Sequence, residues 1–195
     1  MKEPAAVPLA PRLQALHLGM ENLARSANQL LALARADPST SFAEQFDTVD
    51  LQALAGRIVE INVDRALNAG LDLGVEAGPV AVRGNVRLLE DLLGNLVDNA
   101  IHYTPRDGHV TVRVALRAGR PCLEVEDDGP GIPEDQRGRV RERFYRIPGS
   151  TGHGCGLGLA IVSEIAEAHG AQFTLESGAA GKGTRARVLF RSPVV

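Results

Sequence analysis

The chain has 195 residues, 44% of them apolar and 23% charged, with a formal net charge of −3. That suits one ordinary domain with a real core plus an appendage. It excludes a polybasic nucleic-acid surface, and no stretch approaches the roughly 20 apolar residues of a membrane-spanning helix.

The first eleven residues hold Pro4 and Pro8 and read as a flexible start. Leu9, Leu13, Leu16, Met20, Leu23, Ala27, Leu30 and Ala34 then alternate spacings of four and three. This a/d stripe predicts a long amphipathic helix over 12–37, too apolar on one face to stand alone. Asp37-Pro38-Ser39-Thr40-Ser41 ends it, with 38–41 as a hinge, and a compact domain is predicted over 42–191. Asp50 is placed to cap a helix over about 51–67 whose apolar surface draws on Leu51, Leu54, Ile58, Ile61 and Val63. Short strands follow at Leu71-Asp72-Leu73 and Val80-Ala81-Val82.

Residues 86–102 carry the strongest helical pattern, with Leu88, Leu89, Leu92, Leu93, Leu96, Val97 and Ala100 on one broad side. A hairpin-like pair comes next: Val110, Val112 and Val114 alternate with polar or small residues, and Cys122 to Glu126 forms the second strand. Residues 134–156 lack a long apolar face and read as a partly helical, mobile loop. A helix from Leu157 to His169 and strands at 173–177 and 185–190 close the chain. Helices and hairpin strands in this order predict an α/β fold, a two-layer sandwich with one sheet face covered. Cys122 and Cys155 give neither a disulfide framework nor a metal spacing. Cys122 is expected in the core, and Cys155 in the exposed glycine run.

Four motifs stand in fixed order. Asn95 and Asn99 are four apart and share a helical face with Asp91, close to His102 and opposite the leucines. Their amide oxygens suit magnesium already bound to phosphates, although two asparagines alone also fit a solvated face. Asp127 ends a strand just before Gly129, Pro130 and Gly131, where a carboxylate can accept from an exocyclic amino group. Taken alone, that turn is equally a tight connection. Gly152, Gly154, Gly156 and Gly158 run into a helix start that offers backbone N–H groups to phosphates. Gly181-Lys182-Gly183-Thr184 comes last. Neither glycine run matches the dinucleotide fingerprint or the phosphate loop that ends Gly-Lys-Ser/Thr.

The ordered set resembles the catalytic and ATP-binding domain of bacterial two-component sensor histidine kinases, in the wider group that includes gyrase B and Hsp90 ATPase domains. The resemblance covers roughly residues 42–191. It implies the Bergerat α/β sandwich, with ATP and Mg2+ bound under a lid over about 134–155. By resemblance Asn95 and Asn99 form the N box, with Asn99 the magnesium ligand, and His102 and Tyr103 contact phosphate and base. Asp127, with Gly129 and Gly131, recognises the adenine amino group. Arg143, Phe144, Tyr145 and Arg146 match the F-box region, with Arg143 and Arg146 candidates to stabilise the transferring phosphate. Gly154, Gly156, Leu157 and Gly158 match the second glycine box, and Gly181, Gly183 and Thr184 the last. Arg141 stands where the family usually has an apolar aromatic residue, so weaker lid packing or a lid turned toward a partner is expected. His169 is expected to be structural.

Residues 12–37 resemble the second helix of the family's dimerisation and phosphotransfer domain. The first helix, which bears the phosphoacceptor histidine, has no counterpart here, and His17 lacks its flanking residues. ATP binding without self-labelling is therefore expected of these residues. The resemblance also implies a homodimeric, inner-membrane parent, a cytoplasmic position for this domain and a response-regulator receiver domain as partner. Relatives that hydrolyse ATP usually place a glutamate where Asn95 stands, and an amide cannot activate water. Two alternatives stay open: an ATPase of the wider group, and a nucleotide-dependent interaction module.

Overall fold

The computed structural model describes residues 46–150 and 155–191. The predicted first helix, the hinge, residues 42–45 and Gly154 lie outside the described residues. Ten elements follow in order: β1 (Asp47–Asp50), α1 (Leu51–Ala69), β2 (Asp72–Ala77), β3 (Ala81–Gly84), α2 (Val86–Tyr103), β4 (His109–Arg117), β5 (Arg120–Asp127), α3 (Gly158–Ala168), β6 (Gln172–Ser177) and β7 (Thr184–Leu189). Short 3-10 turns occupy Glu134–Gln136, Arg139–Arg141 and Ala179–Gly181. Strands β1 and β3 pair antiparallel, and the other five form one sheet in the order β2-β4-β5-β7-β6. Only β2 and β4 run parallel within it.

The helix ends follow from local chemistry. Asp50 accepts from the backbone N–H groups of Gln52 (2.8 Å) and Ala53 (3.1 Å), which removes two of the unsatisfied donors at the start of α1. Asn85 caps α2 in the same way, through Arg87 and Leu88. Gly70 ends α1 with φ +76°, a left-handed turn that costs a residue with a Cβ more. Along α1 the buried line is Leu51, Leu54, Ala55, Ile58, Val59, Asn62 and Ala66. Ile61 and Val63, expected among the apolar contacts, fall off that line and are 73% and 36% exposed. The leucine side of α2 is buried as its spacing requires.

Strand alternation sorts the sheet into two faces. Val110, Val112, Val114, Leu123, Val125, Val188, Phe173 and Leu175 point inward to the helices and form the core with them. The outward residues build an ion-pair lattice. Glu124, only 2% exposed, accepts from Arg187 at 2.9 Å and has Arg113, Arg117 and Arg185 within 3.5–3.7 Å. Glu126 bonds Arg185 at 2.8 Å and also Arg113, while Glu76 and Glu176 hold the outer sides of Arg113 and Arg187. Cys122 is buried as expected, but alternation puts it on this outer face and outside the apolar cluster. Burial pushes its thiol pKa up, with Glu124 adding to the effect.

Removing Glu124 leaves several guanidinium groups facing one another on a half-covered surface. Glu124→Ala is expected to cost about 3 kcal/mol, the low end for breaking a buried pair because the arginines reach water. Urea unfolding with an unchanged m-value measures it. A loss within experimental error of zero contradicts the lattice as a stabilising feature.

Candidate nucleotide site

A cavity of about 800 Å³ opens between α2, the end of β5, the 130–133 turn, residues 145–150 and the start of α3. Its floor is apolar, with Val125, Leu175 and Ala186 coming from three neighbouring strands. At the end of β5, Asp127 projects into it. One oxygen, Oδ1, accepts from the N–H of Gly129 at 2.9 Å and of Thr184 at 3.2 Å. The other, Oδ2, makes no hydrogen bond among the described residues, and Asp127 lines the cavity. Burial raises the pKa of this carboxyl, against the pull of its two backbone donors.

The neighbouring carboxylate faces the other way. Asp128 accepts from the backbone N–H of His109 at 2.8 Å and lies 3.0 Å from its Nδ1. The bond to Asp128 raises the imidazole pKa, and the two His109 groups outweigh burial to hold Asp128 low. Asp128 thus pins the turn from behind while Asp127 serves the cavity.

Close approach demands a glycine at residue 183 and leaves little room for a side chain at residue 158. A Cβ on Gly183 would stand 1.7 Å from the carbonyl oxygen of Asp127, and its φ is +67°. The 178–183 turn therefore crosses directly over the end of β5, which brings the Thr184 N–H onto Asp127. A Cβ on Gly158 would meet Asn99 Nδ2 at 3.2 Å and Asn95 Oδ1 at 3.3 Å. The bare first residue of α3 thus lets the positive end of that helix sit beside both asparagines. Leu157, before it, supplies no side-chain cap to the first N–H groups.

Asn99, His102, Tyr103, Asp127, Gly131, Arg146, Gly156, Leu157, Gly158 and Thr184 all line the cavity. Asn95 stands just behind, at Gly158, with its amide donating to the Asp91 carbonyl at 2.7 Å. Gly129 acts through its N–H on Asp127. The rings of His102 and Tyr103 meet edge to face at 4.8 Å. Arg143 is turned away: its Nε and Nη2 donate to Glu164 of α3 at 2.9 and 2.7 Å. Arg141, expected to loosen the lid, instead packs inward, its guanidinium 4.8 Å from the Phe173 ring centroid. Burial lowers its pKa.

Sequence reasoning assigned no role to Asp98, which lines the cavity and pairs with Arg65 of α1. It also passed over the bracing of Tyr145, whose hydroxyl donates to Gln136 at 2.5 Å while Arg139 covers its ring at 4.2 Å. Alternation in β6 and β7 marks Leu175 and Ala186 as inward residues, but only strand order places them beside Val125 in the cavity floor.

An α/β sandwich with a carboxylate at a strand end, an asparagine helix and a helix N-terminus around one cavity fits a nucleotide-binding domain. The chain belongs to the histidine kinase-, DNA gyrase B- and HSP90-like ATPase family, whose model matches residues 84–194. Within that family it is a catalytic domain homologous to those of bacterial sensor histidine kinases. The mycobacterial sensor histidine kinase MprB is similar at 30% identity and a TM-score of 0.66, over 76% of this chain and 99% of that one. The sensor protein kinase PmrB of Pseudomonas aeruginosa is 38% identical over 171 residues, 87% of this chain and 36% of that protein. Full-length ShkA in complex with AMPPNP matches at 25% identity and a TM-score of 0.76, over 100% of this chain and 41% of that one. The chain thus spans about a third of the length of the curated relative.

A methyl group at Gly183 must displace the Asp127 carbonyl or the turn itself. Gly183→Ala is expected to cost at least about 2 kcal/mol, more than a glycine-to-alanine change in a compatible conformation. Thermal unfolding checks it. A melting temperature equal to the parent's rules out the crossing as described.

Proposed function

We propose that residues 42–191 form a unit that binds ATP with magnesium and, in the complete protein, presents the γ-phosphate to a histidine on its own dimerisation and phosphotransfer domain. From there the phosphoryl group passes to an aspartate on a response-regulator receiver domain. The observation that carries the reading is the pairing of two ends of one cavity. Asp127 Oδ2 awaits a donor at one end, and Asn95, Asn99 and the start of α3 meet at the other.

An adenine amino group is the donor that suits Asp127 Oδ2, over the apolar floor of Val125, Leu175 and Ala186. Polyphosphate oxygens suit the open N–H groups at Gly158 and the residues after it. The hard amide oxygen of Asn99, in the space that Gly158 leaves bare, fits a magnesium ligand. Bound there, magnesium supplies neutralisation of phosphate charge. Arg146 lines the same cavity and serves as a second countercharge. Arg143 reaches the phosphates only after leaving Glu164. Asn95 has no carboxylate with which to activate water, which favours transfer to a histidine over hydrolysis. No helix among the described residues is long and apolar enough to cross a membrane. In this reading the domain is cytoplasmic, and the parent is a homodimer anchored in the inner membrane.

ATP and ADP are expected to bind in preference to GTP, and Asp127→Asn to weaken adenine recognition by roughly tenfold or more, since the amide can turn a donor inward. Affinity should also fall on acidification, because protonation removes the acceptor. The fall begins above the ordinary aspartate range, as burial raises the Asp127 pKa. Calorimetry with the three nucleotides across pH reads both effects. Equal ATP and GTP affinity, untouched by the substitution, contradicts the assignment.

Asn99→Ala is expected to remove most of the magnesium-dependent part of ATP affinity while the protein stays folded, because the leucine side of α2 carries the core. Titrations with and without magnesium provide the comparison. An undiminished magnesium effect moves the ligand elsewhere, with Asn95 next in line.

A further inference from the structure

His169 follows the last turn of α3 and lies outside the cavity. Its ring is held at both nitrogens and on one face. Nε2 is 3.1 Å from the backbone N of Asn85, Nδ1 is 2.7 Å from the carbonyl oxygen of Ile165, and the ring stacks on Phe46 at 4.7 Å and 19°. Gly84 completes the enclosure, since a Cβ there would stand 2.8 Å from the ring. These partners dictate the proton's place. A backbone N–H only donates, so Nε2 must offer a lone pair. A carbonyl only accepts, so Nδ1 carries the hydrogen. The imidazole is neutral and in one tautomer. Burial pushes its pKa below the ordinary histidine value, with the Ile165 carbonyl pulling weakly the other way.

The contacts come from separate parts of the fold. Phe46 precedes β1, where the chain enters the described domain. Asn85 is the N-cap of α2, the helix of Asn95 and Asn99. Ile165 is on α3, whose opposite end walls the cavity. Among the described residues, the charged groups within two residues of these contacts are Asp47 of β1, Arg83 of β3, Arg87 of α2, and Glu164 and Glu167 of α3, with Arg191 beyond β7. None hydrogen-bonds or ion-pairs with the ring. Arg83 donates to the Phe46 carbonyl at 3.0 Å, and Arg191 lies by Gly170. Among the described residues no carboxylate is in place to stabilise an imidazolium here.

We propose that His169 is a positioning residue: its neutral ring clamps the entering chain, through Phe46, to the N-cap of α2, and a proton gained at Nε2 releases the clamp. The added N–H faces the Asn85 N–H, so an acceptor is exchanged for a clash of donors. Displacement of Phe46 is then coupled, through His169 and Asn85, to the helix that holds Asn95 and Asn99. The clamp stands independently of the nucleotide reading, and only its effect on affinity rests on that reading.

The chain has no tryptophan, so Phe46→Trp in the 195-residue protein places a single indole on the His169 ring, and an imidazolium quenches indole emission. Emission should drop in one titration with a midpoint below about 6.5. Adding His169→Gln, whose amide oxygen accepts from Asn85 without titrating, should abolish that step. In the unsubstituted chain the Asn85 and Leu88 amide resonances should follow the same midpoint, which guards against variants that fail to fold. At neutral pH, His169→Ala should weaken magnesium-ATP binding by roughly tenfold, and His169→Gln should restore most of it. A midpoint at or above about 6.5, amides that ignore the titration, or a step that survives His169→Gln overturns the clamp. So does equal ATP affinity in the alanine and unsubstituted chains. Absence of ATP binding in every chain, with the titration intact, faults the nucleotide reading and still supports the clamp.

Discussion

The backbone crossing of Asp127 and Gly183 is the constraint on which the rest depends. The carbonyl of Asp127 occupies the volume that any Cβ at residue 183 would fill, and the carbonyl of Gly183 lies 2.8 Å from where a Cβ on Gly131 would stand. Three stretches of main chain, from residues 127, 131 and 183, are stacked at one corner of the sheet. The corner sets the start of β7, and so the N–H of Thr184 that fixes one oxygen of Asp127. It also sets the turn that delivers the Gly129 N–H to the same oxygen. A carboxylate aimed by two backbone donors has little freedom left, which is what discrimination between similar ligands requires.

Helix α2 joins this corner to the other end of the cavity. Its leucine side is core, and its asparagine side meets the start of α3 at Gly158. Asp98, between the two sides, holds Arg65 of α1. The helix therefore cannot rotate to follow a ligand without breaking either packing or an ion pair. The site is made of pieces that are each locked for a different physical reason: close backbone contact at Gly183, apolar packing at Leu92 and Leu93, charge at Asp98.

What was legible in the sequence follows the same division. The glycine motifs could be read because exclusion of a Cβ is written directly into residue type, and the long helices because a leucine repeat has one geometric solution. Ile61 and Val63 misled because both are apolar and near the correct stripe, yet one or two residues of phase put them in solvent. Long side chains were least legible. Arg141 and Arg143 carry the same charge and lie two residues apart, but one lies over Phe173 and the other reaches Glu164. Nothing local decides between those ends, because the partners are 32 and 21 residues away in sequence. Glu124 and its arginines were hidden likewise, since strand register alone brings residues about 60 positions apart into contact.

That register has a consequence for how the domain meets its surroundings. On the outer sheet face the named glutamates and arginines are four of each sign, and every one is engaged with another. Such a face offers an approaching molecule little bare hydrocarbon to cover and few idle charges to satisfy, so a third layer has nothing to gain by settling on it. The sandwich is left two layers thick with an inert back. A molecule that settled on that back would first have to break ion pairs, whereas the helix ends and the mouth of the cavity lie on the other side of the sheet.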